Sequence, residues 1–286
     1  MFLNMSRLPV AALVTVVSMG VGCSSGVVDP SSDSLSEELG TQSCSGDYTV
    51  TDNVAASVAS CASIKGSLTI SGAGVSSLSV LQSLKSVSGT MLVSNTSLVG
   101  INLPNLASVG SLAIENNTRL TNLNGLTAFV SANDLMISSN KKLTTIGALK
   151  NITSVSGNLE VSYNKNLATL TGLDGIKSVG GNLYVFGAFS EAPSDLSGLR
   201  NLTSVGKDLE IADTAATSLS GLASLITVGG WLDVYHNPKL AKCAVPTLKS
   251  VHSLLIWENV ILPTQLAQKL AKQVGQPTAS IWGNLP

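Results

Sequence analysis

The dipeptide Ser/Thr-Val returns at Val87, Val109, Val155, Val179, Val205, Val228 and Val251, at spacings of 22, 46, 24, 26, 23 and 23 residues. The 46 is a double period, with a degenerate copy near Val130. A period held over most of a chain constrains architecture before local propensity does, because every unit must follow the same path and bury its apolar side against the next. Each dipeptide leads into an apolar-x-apolar triplet: Leu112/Ile114, Leu135/Ile137, Leu159/Val161, Leu183/Val185, Leu209/Ile211, Leu232/Val234 and Leu254/Ile256. A period near 23 is too short for helix-pair repeats, which need roughly 33 residues or more. It suits one coil with one short strand, two side chains of the triplet pointing inward and the middle one outward. Counting Leu68/Ile70 as the first, the expectation is a mainly β chain: a right-handed parallel β-solenoid of about nine coils of 22–26 residues.

Other columns fit the same frame. An Asn stands after the triplet at Asn95, Asn117, Asn140, Asn164, Asn237 and Asn259, and a Leu often follows, as at Leu98, Leu120, Leu143, Leu167 and Leu240. These read as structural: Asn amides satisfy backbone groups at a buried corner, and Leu fills the core between coils. Solenoid ends need caps. A short helix is expected over Val54 to Cys61, with Asp52 or Asn53 as N-cap. A second is expected after Pro263, with Thr264 as N-cap, Leu266 and Leu270 on one face and Gly275 as the stop.

The runs SVSGNLEVSYNKNLATLTGL (154–173) and SVGGNLYVFG (178–187) resemble receptor L domains, the leucine-rich β-helices of growth-factor-receptor ectodomains. The opening from Cys44 through CASIKGSLTI (61–70) is similar to the way such domains begin, which implies a first turn closed by a Cys44–Cys61 disulfide. The resemblance covers roughly 44–260 and extends to bacterial surface lipoproteins and to fungal wall proteins, whose C-terminal hydrophobic anchor signal has no counterpart in TASIWGNLP. It speaks to fold more than to function, since solenoids of this type host many partners.

Residues 1–22 read as a signal peptide: Arg7 precedes an apolar stretch from Leu8 to Met19, too short to span a bilayer. Gly20-Val21-Gly22-Cys23 resembles a lipobox, although Gly20 stands where Leu is usual, so Cys23 is either a lipidated anchor or incidental to plain secretion. The Ser-rich acidic stretch 23–43, with Asp29, Asp33, Glu37 and Glu38, reads as a tether to the solenoid of 44–286. The expected address is the cell envelope, at the outer membrane or cell surface, with secretion as the alternative.

Sixteen basic against seventeen acidic residues leave no basic footprint for nucleic acid. There is no GxSxG, Walker A, HExxH or CxxC, and the two histidines, His236 and His252, read as exposed corner residues; neither a metal nor another cofactor is expected. Cys243 falls where other coils place Leu123 or Ile146 and reads as a buried free thiol.

The outward residues gather the remaining chemistry. The middle column runs Thr69, Ala113, Met136, Glu160, Tyr184, Glu210, Asp233, Leu255. Asp134, Asn158, Asn182, Asp208 and Trp231 flank it on one side, and Ser162, Phe186, Ala212, Tyr235 and Trp257 on the other. The candidate ligand-binding residues are therefore Glu160, Tyr184, Phe186, Asp208, Glu210, Trp231, Asp233, Tyr235 and Trp257. Such a face binds sugar rings or anchors a partner protein; alternatively, aromatics merely pair across strands. The leading expectation is a non-catalytic envelope binding or adhesion lipoprotein recognising a glycan or a protein. A spacer with no ligand, and a polysaccharide-acting enzyme using Glu210 and Asp233, are the other readings.

Overall fold

The computed structural model describes residues 42–53, 57–188, 191–275 and 279–286. The expected signal peptide, Cys23 and nearly all of the tether lie outside these residues.

All strand pairing is parallel, and successive coils stack in register. On one side of the coil run β2 (Tyr48–Val50), β4 (Leu68–Ser71), β9 (Leu159–Ser162), β11 (Leu183–Phe186), β13 (Leu209–Ala212) and β16 (Ser280–Trp282). On the adjoining side run β1 (Gln42–Ser45), β3 (Cys61–Lys65), β8 (Ser154–Val155), β10 (Ser178–Val179) and β12 (Ser204–Val205). Five longer strands continue across both sides: β5 (Ser86–Ser94), β6 (Ser108–Glu115), β7 (Ser131–Ser138), β14 (Thr227–Tyr235) and β15 (Ser250–Trp257). The register shifts between Val87 and Thr90 and between Val228 and Trp231, where the chain turns from one side to the next. A third side is marked by the single parallel bridges Gly100–Asn122–Thr145, Thr169–Asp195, Ser218–Lys242 and Pro263–Leu285. The molecule is a parallel β-solenoid of about ten turns. β2 and β16 each add a strand beyond the Leu68-to-Ile256 series.

The apolar columns close over one another as the period requires. The triplet leucines from Leu68 to Leu254, the Ser/Thr-Val valines and Leu98, Leu120, Leu143, Leu167 and Leu240 are all buried in one continuous core. No coil covers its own apolar side, so stability resides in the contacts between coils. One repeat assignment is corrected. Val130 is 47% exposed, and the degenerate valine position is Ala132, which pairs with Val109 and Val155. The smaller side chain broke the sequence pattern without breaking the register.

The ends also differ from expectation. In the expected N-terminal cap helix, residues 54–56 lie outside the described ones, 57–60 form a turn, and Cys61 already begins β3. Asn53 caps across coils instead: its Oδ1 accepts the N–H groups of Ser76 and Ser77 at 2.8 and 2.9 Å. The Cys44–Cys61 disulfide is present, joining β1 to β3. β1 begins at Gln42, two residues ahead of the expected domain boundary. At the other end α1 (Thr264–Gln273) packs Ala267, Leu270 and Ala271 onto the core, while Leu266 is exposed. Thr264 is inside the helix and no side chain caps it; Pro263 precedes it with the extended backbone that its ring favours. Gly275 follows the last turn at φ +69°. Gln273 fastens the helix to the last full coil through Nε2, which donates to the carbonyls of Val245 and Leu248, both at 2.9 Å.

Candidate recognition surface

Three columns after each triplet's second apolar residue set the corner of the coil. The third position is the buried ladder. Thr96 Oγ1 donates to Asn117 Oδ1 at 2.6 Å; the N–H of Asn117 donates to Asn140 Oδ1 at 3.1 Å, and that of Asn140 to Asn164 Oδ1 at 2.9 Å. Each Nδ2 reaches back to a carbonyl of the preceding coil: Val93, Ile114 and Ile137 for Asn117, Asn140 and Asn164. The head of this ladder is Thr96, not Asn95, which is exposed at the preceding position with φ +55°. Ala188 occupies the next ladder place, and its side chain carries neither donor nor acceptor. A second ladder then repeats the first: Thr214 Oγ1 to Asn237 (2.6 Å), and the N–H groups of Asn237 and Asn259 to the Oδ1 atoms of Asn259 and Asn284 (3.1 and 3.0 Å).

The second position is a column of left-handed residues: Asn95, Asn116, Ser139, Tyr163, Asp213, His236 and Glu258, with φ between 51° and 58°. Asn, Asp and His are enriched in this conformation, whereas Ser, Tyr and Glu adopt it at a cost of about 1–2 kcal/mol each, held by the ladder beside them. Three of them meet. His236 Nε2 lies 2.5 Å from Glu258 Oε2, and Nδ1 lies 3.9 Å from Asp213 Oδ1. Burial raises the pKa of Asp213, and His236 opposes that shift.

The first position carries the aromatics. Register places Ser162, Phe186, Ala212, Tyr235, Trp257 and Trp282 on successive rungs. Tyr235 and Trp257 stack at 4.5 Å and 5°, and Trp257 and Trp282 at 5.0 Å and 18°. His236 meets Tyr235 and Trp257 edge-on at 5.2 and 4.7 Å. A separate cluster joins Phe186 to Tyr184 at 5.6 Å and to Tyr163 at 6.3 Å. Trp257 has a ring against each of its faces and is left with an edge for outside contact. Of the stacked rings, Trp282 is the most open, at 51% exposure.

The triplet-centre column is as expected: Glu160, Tyr184, Glu210, Asp233 and Leu255 are register neighbours. Asp233 Oδ1 accepts Trp257 Nε1–H at 2.9 Å, and Glu160 Oε1 takes the Ser162 hydroxyl at 2.6 Å. Burial, reinforced by Glu210, Asp208 and Glu160, raises the pKa of Tyr184. Tyr235 rises for the same reason, burial first and then Glu210, Asp233 and Asp213. The phenols therefore stay protonated at neutral pH and present hydroxyl donors beside carboxylate acceptors.

Asp208 also braces the backbone. Asp134, Asn158, Asn182 and Asp208 form an outer ladder in which each Oδ1 accepts the backbone N–H of the next: Asn158, Asn182, Asp208 and Trp231, at 2.7, 2.9, 3.1 and 2.9 Å. Asp208 thus holds the backbone of Trp231 in place. Trp231, four residues before Tyr235 on β14, belongs to this flank and not to the stack. His252, exposed within β15, is separate from His236. Asn151 and Asn201 donate their side-chain amides to the carbonyls of Thr127 and Asp174 one coil back. Cys243 is a free thiol, 1% exposed, and burial pushes its pKa up to about 11. It should resist a disulfide-exchange reagent in the folded protein and react fully in denaturant; ready labelling without denaturant would contradict the structure. Among the described residues no group of three or more His, Cys, Asp or Glu is arranged to hold a metal ion.

Residue reading passed over Tyr163, Asp213, Glu258 and Trp282, and left His236 a lone corner residue. The signals were present: the second position down the repeats reads Tyr163, Gly187, Asp213, His236, Glu258, and IWENVILP (256–263) returns as IWGNLP (281–286) beyond the helix.

Residues 51–172 match the family model of the receptor L domain. This segment is similar to the receptor L domain, and the parallel β-solenoid fits that family's β-helix. No curated protein and no solved structure gave a significant match. Receptor L domains are extracellular, non-catalytic modules that bind ligands. The matched receptor L domain segment contains the first Asn ladder and ends before Ala188. The second ladder, with Tyr184, Phe186, Tyr235, Trp257 and Trp282, follows outside the match as further coils of the same solenoid. Among the described residues no helix is long and apolar enough to cross a membrane.

Proposed function

We propose that the chain is an exported, non-catalytic binding module of the cell envelope, anchored through a lipid on Cys23, whose aromatic–acidic strip recognises an envelope glycan or a partner protein. The observation that carries this reading is the Tyr235–Trp257–Trp282 stack lying beside Asp233 and Glu210 on one outward face. Rigid aromatic side chains supply contact area at low entropic cost, and the neighbouring carboxylates and phenols supply directed hydrogen bonds. The N-terminal address supports export: an apolar stretch from Leu8 to Met19 ends just ahead of Cys23. An acyl group on Cys23 together with further chains would hold the module firmly, since one chain alone binds marginally.

Hydrolysis is the weaker reading. Glu210 and Asp233 are neighbours on adjacent rungs of an open sheet. Nothing there encloses a substrate or excludes water, as tuning one carboxyl into an acid and the other into a base requires. The spacer reading attributes the stacks to cross-strand stabilisation alone.

The test compares the purified full chain with a Tyr184→Ala/Trp231→Ala/Trp257→Ala variant, matched for melting temperature, on a glycan array and on whole-envelope extract. Loss of at least about tenfold in retention by the variant is expected, as for removal of several aromatic anchors. Equal retention, or retention of nothing by either protein, would remove the recognition role and leave the spacer.

A further inference from the structure

One ring of the aromatic stack is much more exposed than its neighbours. Tyr235 stacks on Trp257 and Trp257 on Trp282, on the paired strands β14, β15 and β16. Trp257 covers one face of Trp282, and the side chain is 51% exposed. In the corner column Asp213 and His236 are each followed one coil later by a side chain, but Glu258 is followed by Gly283. A Cβ on Gly283 would sit 2.8 Å from Glu258 Cγ, so glycine here leaves room for the Glu258 side chain. Glu258 and Trp282 are directly joined, the N–H of Glu258 donating to the Trp282 carbonyl at 2.9 Å.

We propose that this exposed ring and its carboxylate neighbour form a saccharide subsite, in which Trp282 is the floor for a neutral pyranose ring and Glu258 accepts its hydroxyls. The inference rests on the reading of the chain as a binding module and names its ligand class and contact point. A pyranose presents a C–H face to an indole and hydroxyl donors at its rim, the complement of an open ring beside a carboxylate. Glu258 is already oriented by His236 at 2.5 Å, which lowers the ordering cost of binding. The surrounding acids, Asp213 beyond His236 and Asp233 on the Trp257 indole, repel phosphorylated or uronic ligands and leave neutral sugars favoured.

The experiment titrates the purified full chain with β-1,4-glucose, β-1,3-glucose and α-mannose hexasaccharides, by calorimetry and by the fluorescence of Trp231, Trp257 and Trp282. For the hexasaccharide that binds, Trp282→Ala and Glu258→Ala should each weaken affinity about tenfold, and Trp282→Phe by about threefold or less, at unchanged melting temperature. Saturable binding to none of the three, or equal affinity of Trp282→Ala and wild type, would overturn the subsite. If Trp282→Ala still binds sugar while Tyr184→Ala/Trp231→Ala does not, the strip reading stands and the subsite falls. If no sugar binds but Trp282→Ala loses a protease-sensitive component of envelope extract, the occupant is a protein and the saccharide proposal is wrong.

Discussion

Asn140→Ala should lower the unfolding free energy by roughly 3–5 kcal/mol, because several buried groups lose their partners at once. The Asn140 side chain is fully buried, and its Oδ1 accepts the Asn117 N–H at 3.1 Å and the Asn117 amide at 3.2 Å. Its Nδ2 donates to the carbonyl of Ile114 at 2.8 Å. Alanine leaves a donor and an acceptor orphaned where water has no access, each costing about 1–3 kcal/mol. The alanine already at Ala188 shows that the ladder can be interrupted, but there Thr214 begins a new one on the far side. Placing the same gap at Asn140 would strand Asn117 in mid-ladder. Asn151→Ala, at an exposed amide with one bond to Thr127, should cost under about 1 kcal/mol and serves as the control. Urea unfolding and hydrogen exchange at the Asn117 amide are the measurements; a loss equal to that of the control would mean the ladder contributes nothing.

Gly206→Ala should cost about 3 kcal/mol, although it adds one methyl group at the surface. The added Cβ would lie 2.1 Å from the Gly180 carbonyl oxygen and 2.8 Å from its carbon. Both are backbone atoms of the neighbouring coil and cannot rotate away. Relief requires the coils to separate by more than an ångström, which stretches the Gly206 N–H to Val179 bond of 2.8 Å and the Lys207 N–H to Gly181 bond of 3.0 Å. Gly147→Ala is the matched control, since its nearest obstacle is the Thr145 hydroxyl at 3.3 Å, and it should change stability by less than about 1 kcal/mol. Equal melting of the two variants would show that the coils tolerate wider spacing than the structure implies.

Architecture was legible in the residues because a solenoid repeats one local problem. Every coil must place two side chains of the triplet, a valine and a leucine inward, so periodicity alone identified the buried columns, the parallel register and the triplet-centre neighbours from Glu160 to Asp233. Where one coil solved the problem differently, the reading slipped. Ala132 replaces valine, and Thr96 replaces asparagine at the ladder head because a hydroxyl meets the same acceptor. Tyr48–Val50 and Ser280–Trp282 lie beyond a cap or helix that hid their phase.

The sequence by itself determined the solenoid, its inward columns and the gathering of aromatic and acidic residues on one outward face, since those follow from period and alternation. Only the tertiary structure decided what those residues do to one another. It turned Asp208 into a backbone acceptor for Trp231 and set the rings of Tyr235, Trp257 and Trp282 face to face. It also brought Asp213, His236 and Glu258 together at a left-handed corner. Such contacts depend on the coil spacing and on backbone angles between rungs, which a list of columns does not contain.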